Sequence, residues 1–151
     1  MTVYEHDFYA WTQQQAQLLR DHAFTQLDIE NLIEEIESMG RSERRQLSNR
    51  LELLLMHLLK WHYQPALRGR SWELTIQEQR RRIAKLLRTN PSLQLLLHEI
   101  LPDAYEDAAF SAMRETGLAL ETFPATCPYT VELVLDPQWL PDEAHRAAPA
   151  P

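Results

Sequence analysis

Cysteine is nearly absent. Cys127 is the single one in 151 residues, so no disulfide can form within the chain. Its neighbours Thr126 and Pro128 supply no activating base, and the thiol reads as structural. Glycine is almost as scarce. Gly40, Gly69 and Gly117 are the three present, which suits long helices joined by few turns. No glycine-rich loop is available to cradle a phosphate, and no serine sits in a nucleophile elbow. No apolar run approaches the roughly 20 residues that a bilayer crossing requires, so no membrane association is expected. The opening residues Tyr4, Glu5, His6 and Asp7 are polar and unlike a secretion signal. Together with the lone thiol they predict a reducing, cytoplasmic setting. The six histidines show no pair three or four residues apart on one helix, and Glu-x-x-His is missing. That removes the usual di-iron pattern of helical bundles. No metal and no cofactor is expected.

Charge is present but unevenly spread. The net value of −7 divides into −7 over residues 1–40, +8 over 41–88 and −8 over 89–151. Such an acidic–basic–acidic chain neutralises itself on folding more readily than it binds a polyanion, and nucleic acid is not expected as a partner.

Apolar periodicity dominates the rest. Leu47, Leu51, Leu54, Leu58 and Trp61 recur at three and four residues, while Leu53, Leu55, Met56 and Leu59 fill most of the remaining circumference. A helix apolar nearly all round is buried on several sides, so a central helix is predicted over 42–63, capped by Ser42. Before it, Phe8, Trp11, Ala16, Leu18 and Leu19 mark a helix starting at Asp7, with Gln13 to Gln15 on its wetter side. Asp28 caps the next, with Leu27 stapled to Leu32 and an inward stripe of Ile29, Leu32, Ile33, Ile36 and Met39; Gly40 is its expected stop. Ser71 is read as the cap of a helix with Trp72, Ile76, Ile83, Leu86 and Leu87 inward. Asn90-Pro91 opens a further helix closed by Pro102. Asp103 caps another that Gly117 stops, and Pro128-Tyr129 opens a short last one. No strand alternation is convincing. The expected fold is all-α: a single-domain bundle of six or seven helices over 1–140, followed by a disordered Ala/Pro-rich tail over 141–151.

Polar residues beside apolar stripes are the candidate site. Glu34 and Glu37 line one flank of the second helix; His57, Lys60 and Trp61 lie on the central helix; Trp72, Gln79 and Arg80 lie on the next. A buried polar group must meet a partner, so Glu34 or Glu37, His57 and Arg80 are expected to converge, with Lys60, Trp61, Trp72 and Gln79 close by. Such a cluster serves as a register-fixing network, as a small-molecule pocket or as a metal site.

Longer motifs carry a resemblance. Tyr4-Glu5-x-Asp7-Phe8-Tyr9-x-Trp11 comes first. Asn31-Leu32-Ile33-Glu34-Glu35-Ile36-Glu37-Ser38-Met39-Gly40-Arg41-Ser42-Glu43 follows. His57-Leu58-Leu59-Lys60-Trp61, Ser71-Trp72 with Ile76, and Asn90-Pro91-Ser92-Leu93 continue the pattern. Phe123-Pro124-x-x-Cys127-Pro128-Tyr129 and Leu135-Asp136-Pro137 close it. The chain resembles the DUF29 family of bacterial proteins over nearly its whole length up to Pro141. The resemblance implies an all-helical fold; the family's function is unassigned, so it supplies no activity and carries no catalytic residue onto this chain. Two functional readings follow from the residues. One is a non-catalytic interaction or scaffolding module, bound to a protein partner or to a second copy, through the basic face Arg81, Arg82, Lys85 and Arg88 or the segment around Trp139. The other is a small-molecule- or metal-binding bundle, or an enzyme, using the Glu/His/Arg cluster.

Overall fold

Asp7, Asp28, Gly117 and Thr130 set helix boundaries by local chemistry. Asp7 Oδ1 accepts the Ala10 N–H at 3.0 Å and opens α2. Asp28 accepts the main-chain N–H of Asn31 at 3.5 Å and its side-chain amide at 2.8 Å. Gly117 ends α5 at φ 75°, the left-handed conformation that suits glycine. Thr130 accepts the Leu133 N–H at 3.2 Å and opens the last helix. The computed structural model describes residues 2–142. Among these there is no strand, and six α-helices follow in order: α1 Val3–His6, α2 Phe8–Arg20, α3 Ile29–Tyr63, α4 Arg70–Thr89, α5 Leu97–Thr116 and α6 Val131–Leu135. The fold is all-α.

Three expected boundaries are corrected. Gly40 does not stop a helix, and Ser42 does not cap one: both lie inside α3, which runs unbroken for 35 residues. A glycine in a helix interior costs about 1 kcal/mol relative to alanine, less than remaking two helix ends. Ser71 is likewise internal, because α4 begins at Arg70 with extended Gly69 as its N-cap. The two helices expected over 91–117 are a 3₁₀ run, Pro91–Leu96, followed by one helix that passes through Pro102. The N–H that Pro102 lacks would have met the carbonyl of His98, an exposed residue.

The chain divides into two compact units, Met1–Glu43 and Arg44–Pro151. The second holds the main core. Leu47, Leu51, Leu54, Leu55, Leu58 and Leu59 of α3 are buried among Ile76, Ile83 and Leu86 of α4 and Ile100, Ala104, Ala108 and Ala112 of α5. The alanines of α5 leave room for close helix approach. Polar contacts give the directions. Arg50 meets Gln79 and Lys60 meets Trp72, so α4 runs against this part of α3. Arg44 meets Glu99, Glu52 meets Ser111 and Lys60 meets Glu115, in the same order along both helices, so α5 runs with it. The segment after α5 closes the core with Phe123, Tyr129, Val131 and Val134. Partly buried Cys127 donates to the Tyr129 carbonyl, and desolvation pushes its thiol pKa up. Pro141, expected in the tail, is fully buried; residues 143–151 of that expected tail lie outside the described residues.

The first unit is built differently. Among its described residues Trp11 is the one buried large apolar side chain. Tyr4 meets the indole edge-on at 4.8 Å and Phe8 stacks on it at 5.6 Å. The indole N–H donates to Asp28 at 3.0 Å. Gln15, expected on the wet side, is buried, and its carbonyl oxygen accepts the Asp28 N–H at 2.8 Å. The Tyr4 hydroxyl donates to Glu35. That carboxylate, and the burial of the ring against it, push the phenol up to about 12.

Candidate functional site

The side chains singled out beside the apolar stripes find partners, but not the expected ones. Glu34 and Glu37 are exposed and pair with Arg41 of their own helix at 3.0 and 3.7 Å. His57 Nδ1 lies 2.9 Å from the Leu53 carbonyl, one turn back. Arg80 is buried and donates from Nε to the Val134 carbonyl at 2.8 Å and from Nη2 to that of Leu133 at 3.4 Å. Glu34 and Glu37 thus take Arg41 as their partner, and His57 and Arg80 share no hydrogen bond with each other, so the pairings expected of the cluster are corrected. The reason is one of supply. Arg41 stands within a helical turn or two of both glutamates, and main-chain carbonyls meet the histidine and arginine without any carboxylate. Among the described residues, no three His, Cys, Asp or Glu side chains group as metal ligands would.

Part of the set does gather in the second unit. Lys60 Nζ donates to Glu115 at 2.7 Å and lies 4.8 Å from the centre of the Trp72 ring. The ammonium is thus held by a carboxylate and an aromatic face, with its stem buried. The Lys60 hydrogen bond, the main cause, holds the Glu115 carboxyl below the ordinary glutamate range. Burial lowers the His57 pKa and Lys60 pushes it the same way, against the Leu53 carbonyl and Glu115. The imidazole is therefore neutral at pH 7. Trp61 receives the Arg68 guanidinium over its ring at 5.3 Å, and Arg68 Nε donates to the Trp61 carbonyl at 2.6 Å. Gln79 is buried and accepts from Arg50 at 3.2 Å. Each contact ties two elements or closes a loop. Glu115, which completes the Lys60 pair, was missed because it lies 55 residues away, with no signal in the local sequence. Trp139 is partly buried against the core, its ring edge-on to Tyr129 at 5.2 Å, so the segment around it is not the open apolar surface expected.

Two features lie outside the expected site. One is a cavity of about 530 Å³, walled by Tyr105, Phe110, Leu120 and Phe123 with Glu106 and Glu121. The other is the first helical turns of α3. Ile29, Ile33, Ile36 and Met39 were expected to face inward, but they are 51%, 51%, 62% and 62% exposed. At spacings of four, three and three residues they form one row about 15 Å long. Leu32 and Glu35, half-buried, lie at its other side. Singly exposed apolar residues are ordinary; a contiguous row of four is less so.

By class, the described residues form an all-helical domain that carries an exposed apolar row on α3. The sequence pattern of the family described as "Domain of unknown function DUF29" matches residues 3–140, and the chain belongs to that family. No curated protein and no solved structure matches the chain. No helix among the described residues is long and apolar enough to cross a membrane.

Proposed function

We propose that this chain is a non-catalytic protein-interaction module of the bacterial cytoplasm, and that its contact surface is the α3 row Ile29, Ile33, Ile36 and Met39. The exposure of that row carries the reading. Water against four large side chains is unfavourable by about 25 cal/mol per Å² of apolar surface, and a partner removes that term. The polar contacts of the second unit support the same reading, since each is already engaged within the fold and acts as a register lock. The face Arg81, Arg82, Lys85 and Arg88 is a weaker candidate. It is exposed, but Arg82 is paired with Glu78 at 2.9 Å, and among large apolar residues α4 exposes Leu74 alone.

The test is crosslinking in the native host with wild type and with Ile33→Glu/Ile36→Glu. The variant is expected to lose specific adducts while far-ultraviolet circular dichroism stays unchanged. Retention of the same adducts, or metabolite turnover by the purified wild type, would reverse the assignment.

A further inference from the structure

We propose that the occupant of the α3 row is a basic amphipathic helix of another protein, about three turns long, with Lys or Arg flanking its apolar face. This rests on the reading of the row as a contact surface and adds the chemistry of what covers it. Glu30, Glu34 and Glu37 recur at four and three residues along one edge of the row, the spacing that puts side chains on one line of a helix. Glu35 stands at the other edge. The region 1–40 carries a net charge of −7, with Arg20 as its one Lys or Arg. The row is therefore an apolar strip between an open acidic margin, Glu30, Glu34 and Glu37, and the half-buried Glu35 that already accepts the Tyr4 hydroxyl; its complement is an apolar strip flanked by basic residues. Arg41 already meets Glu34 and Glu37, but all three side chains are more than half exposed. Such pairs are worth about 0–1 kcal/mol, so an incoming cation can share or replace Arg41 at little cost.

The same charges argue against a second copy. Pairing two α3 rows sets a margin of three carboxylates and one guanidinium against its duplicate. The basic face of α4 on another copy offers the right sign but a single large exposed apolar residue, Leu74, where the row needs a matching strip. Anionic lipid headgroups meet the acidic margin with like charge.

The experiment uses the full chain and a fluorescent peptide of about 18 residues, five helical turns, in which leucine and lysine alternate with helical periodicity. Two controls accompany it: the same composition scrambled, and the same pattern with glutamate for lysine. The patterned Leu/Lys peptide is expected to bind at low salt. Ile33→Glu/Ile36→Glu should weaken it by at least about tenfold, the loss of 1.4 kcal/mol or more of anchor contact. Glu30→Gln/Glu34→Gln/Glu37→Gln leaves every apolar residue in place. It should weaken the peptide severalfold at low salt and flatten its dependence on ionic strength. Equal binding of the scrambled peptide would overturn the proposal, since charge alone would suffice. Equal binding of the Leu/Glu peptide would also overturn it while leaving the contact surface standing, as would a dimer in sedimentation that Ile36→Glu dissolves. Equal binding to phosphatidylglycerol vesicles would do the same in favour of a lipid surface. If no peptide binds and the wild type is monomeric, the proposal and the contact reading fall together.

Discussion

Arg80 of α4 holds the end of α6 through its last carbonyls: Nε donates to Val134 at 2.8 Å and Nη2 to Leu133 at 3.4 Å. Carbonyls in the final turn of a helix have no partner within it; that of Leu133 also accepts the Asp136 N–H at 3.2 Å, so the guanidinium is a second donor there and supplies the one that Val134 lacks within the helix. Burial lowers the Arg80 pKa, with Asp136 opposing. Arg80→Ala is expected to destabilise the protein by about 1–3 kcal/mol, the cost of leaving the buried Val134 acceptor unmet. The roughly 3–5 kcal/mol of a stranded buried carboxylate does not apply, because no carboxylate is its hydrogen-bond partner. Urea unfolding would measure the loss; a change under about half a kcal/mol, the scale of an ordinary surface substitution, would show that α6 does not depend on this contact.

Leu54 and Leu58 are both fully buried in the core of the second unit. Leu54→Ala and Leu58→Ala should each cost about 2–5 kcal/mol, combining lost transfer energy with the cavity left behind. Equilibrium unfolding of both variants checks the depth of this core.

Acidification should weaken the fold in two separate windows. Because the His57 pKa is lowered in the folded state, the unfolded chain takes up the proton more readily. Stability is expected to fall as pH drops through about 6.5, the ordinary histidine value. Glu115 has its pKa lowered by Lys60, so its contribution is present above the ordinary glutamate range and is lost as pH falls below it. His57→Asn should flatten the first slope and leave the second. Urea midpoints at pH 7.5, 5.5 and 4 would separate them; an unchanged slope near pH 6 would remove His57 from the account.

In the first unit, Asp28 ties α2 to the start of α3. It accepts the Trp11 indole at 3.0 Å and the Asn31 amide at 2.8 Å. Hydrogen bonds from Asn31 and then from Trp11 hold its carboxyl low. Asp28→Ala should speed amide hydrogen exchange over residues 8–40 and leave the protection of α4 and α5 nearly unchanged, because local opening follows local contacts. Loss of protection across both units would mean that they unfold as one.

Some features were decided within a few residues of chain, and the sequence alone determined them. Asp7, Asp28 and Gly117 end or begin helices because a side-chain acceptor or a positive φ acts on its own neighbours. The all-α class followed from periodicity, and family membership from motifs spread along nearly the whole chain. Tertiary structure decided the rest. The row from Ile29 to Met39 and the row from Leu47 to Leu58 both recur at three and four residues, yet one is more than half exposed and the other is buried. Spacing places residues on one side of a helix but says nothing of what lies opposite. The partners of Lys60, Gln79 and Arg80 stand 55, 29 and 54 residues away in the chain, where no local pattern points to them. Gly40 was legible as a breaker and is not one, since a local cost of about 1 kcal/mol yields to the cooperativity of a 35-residue helix.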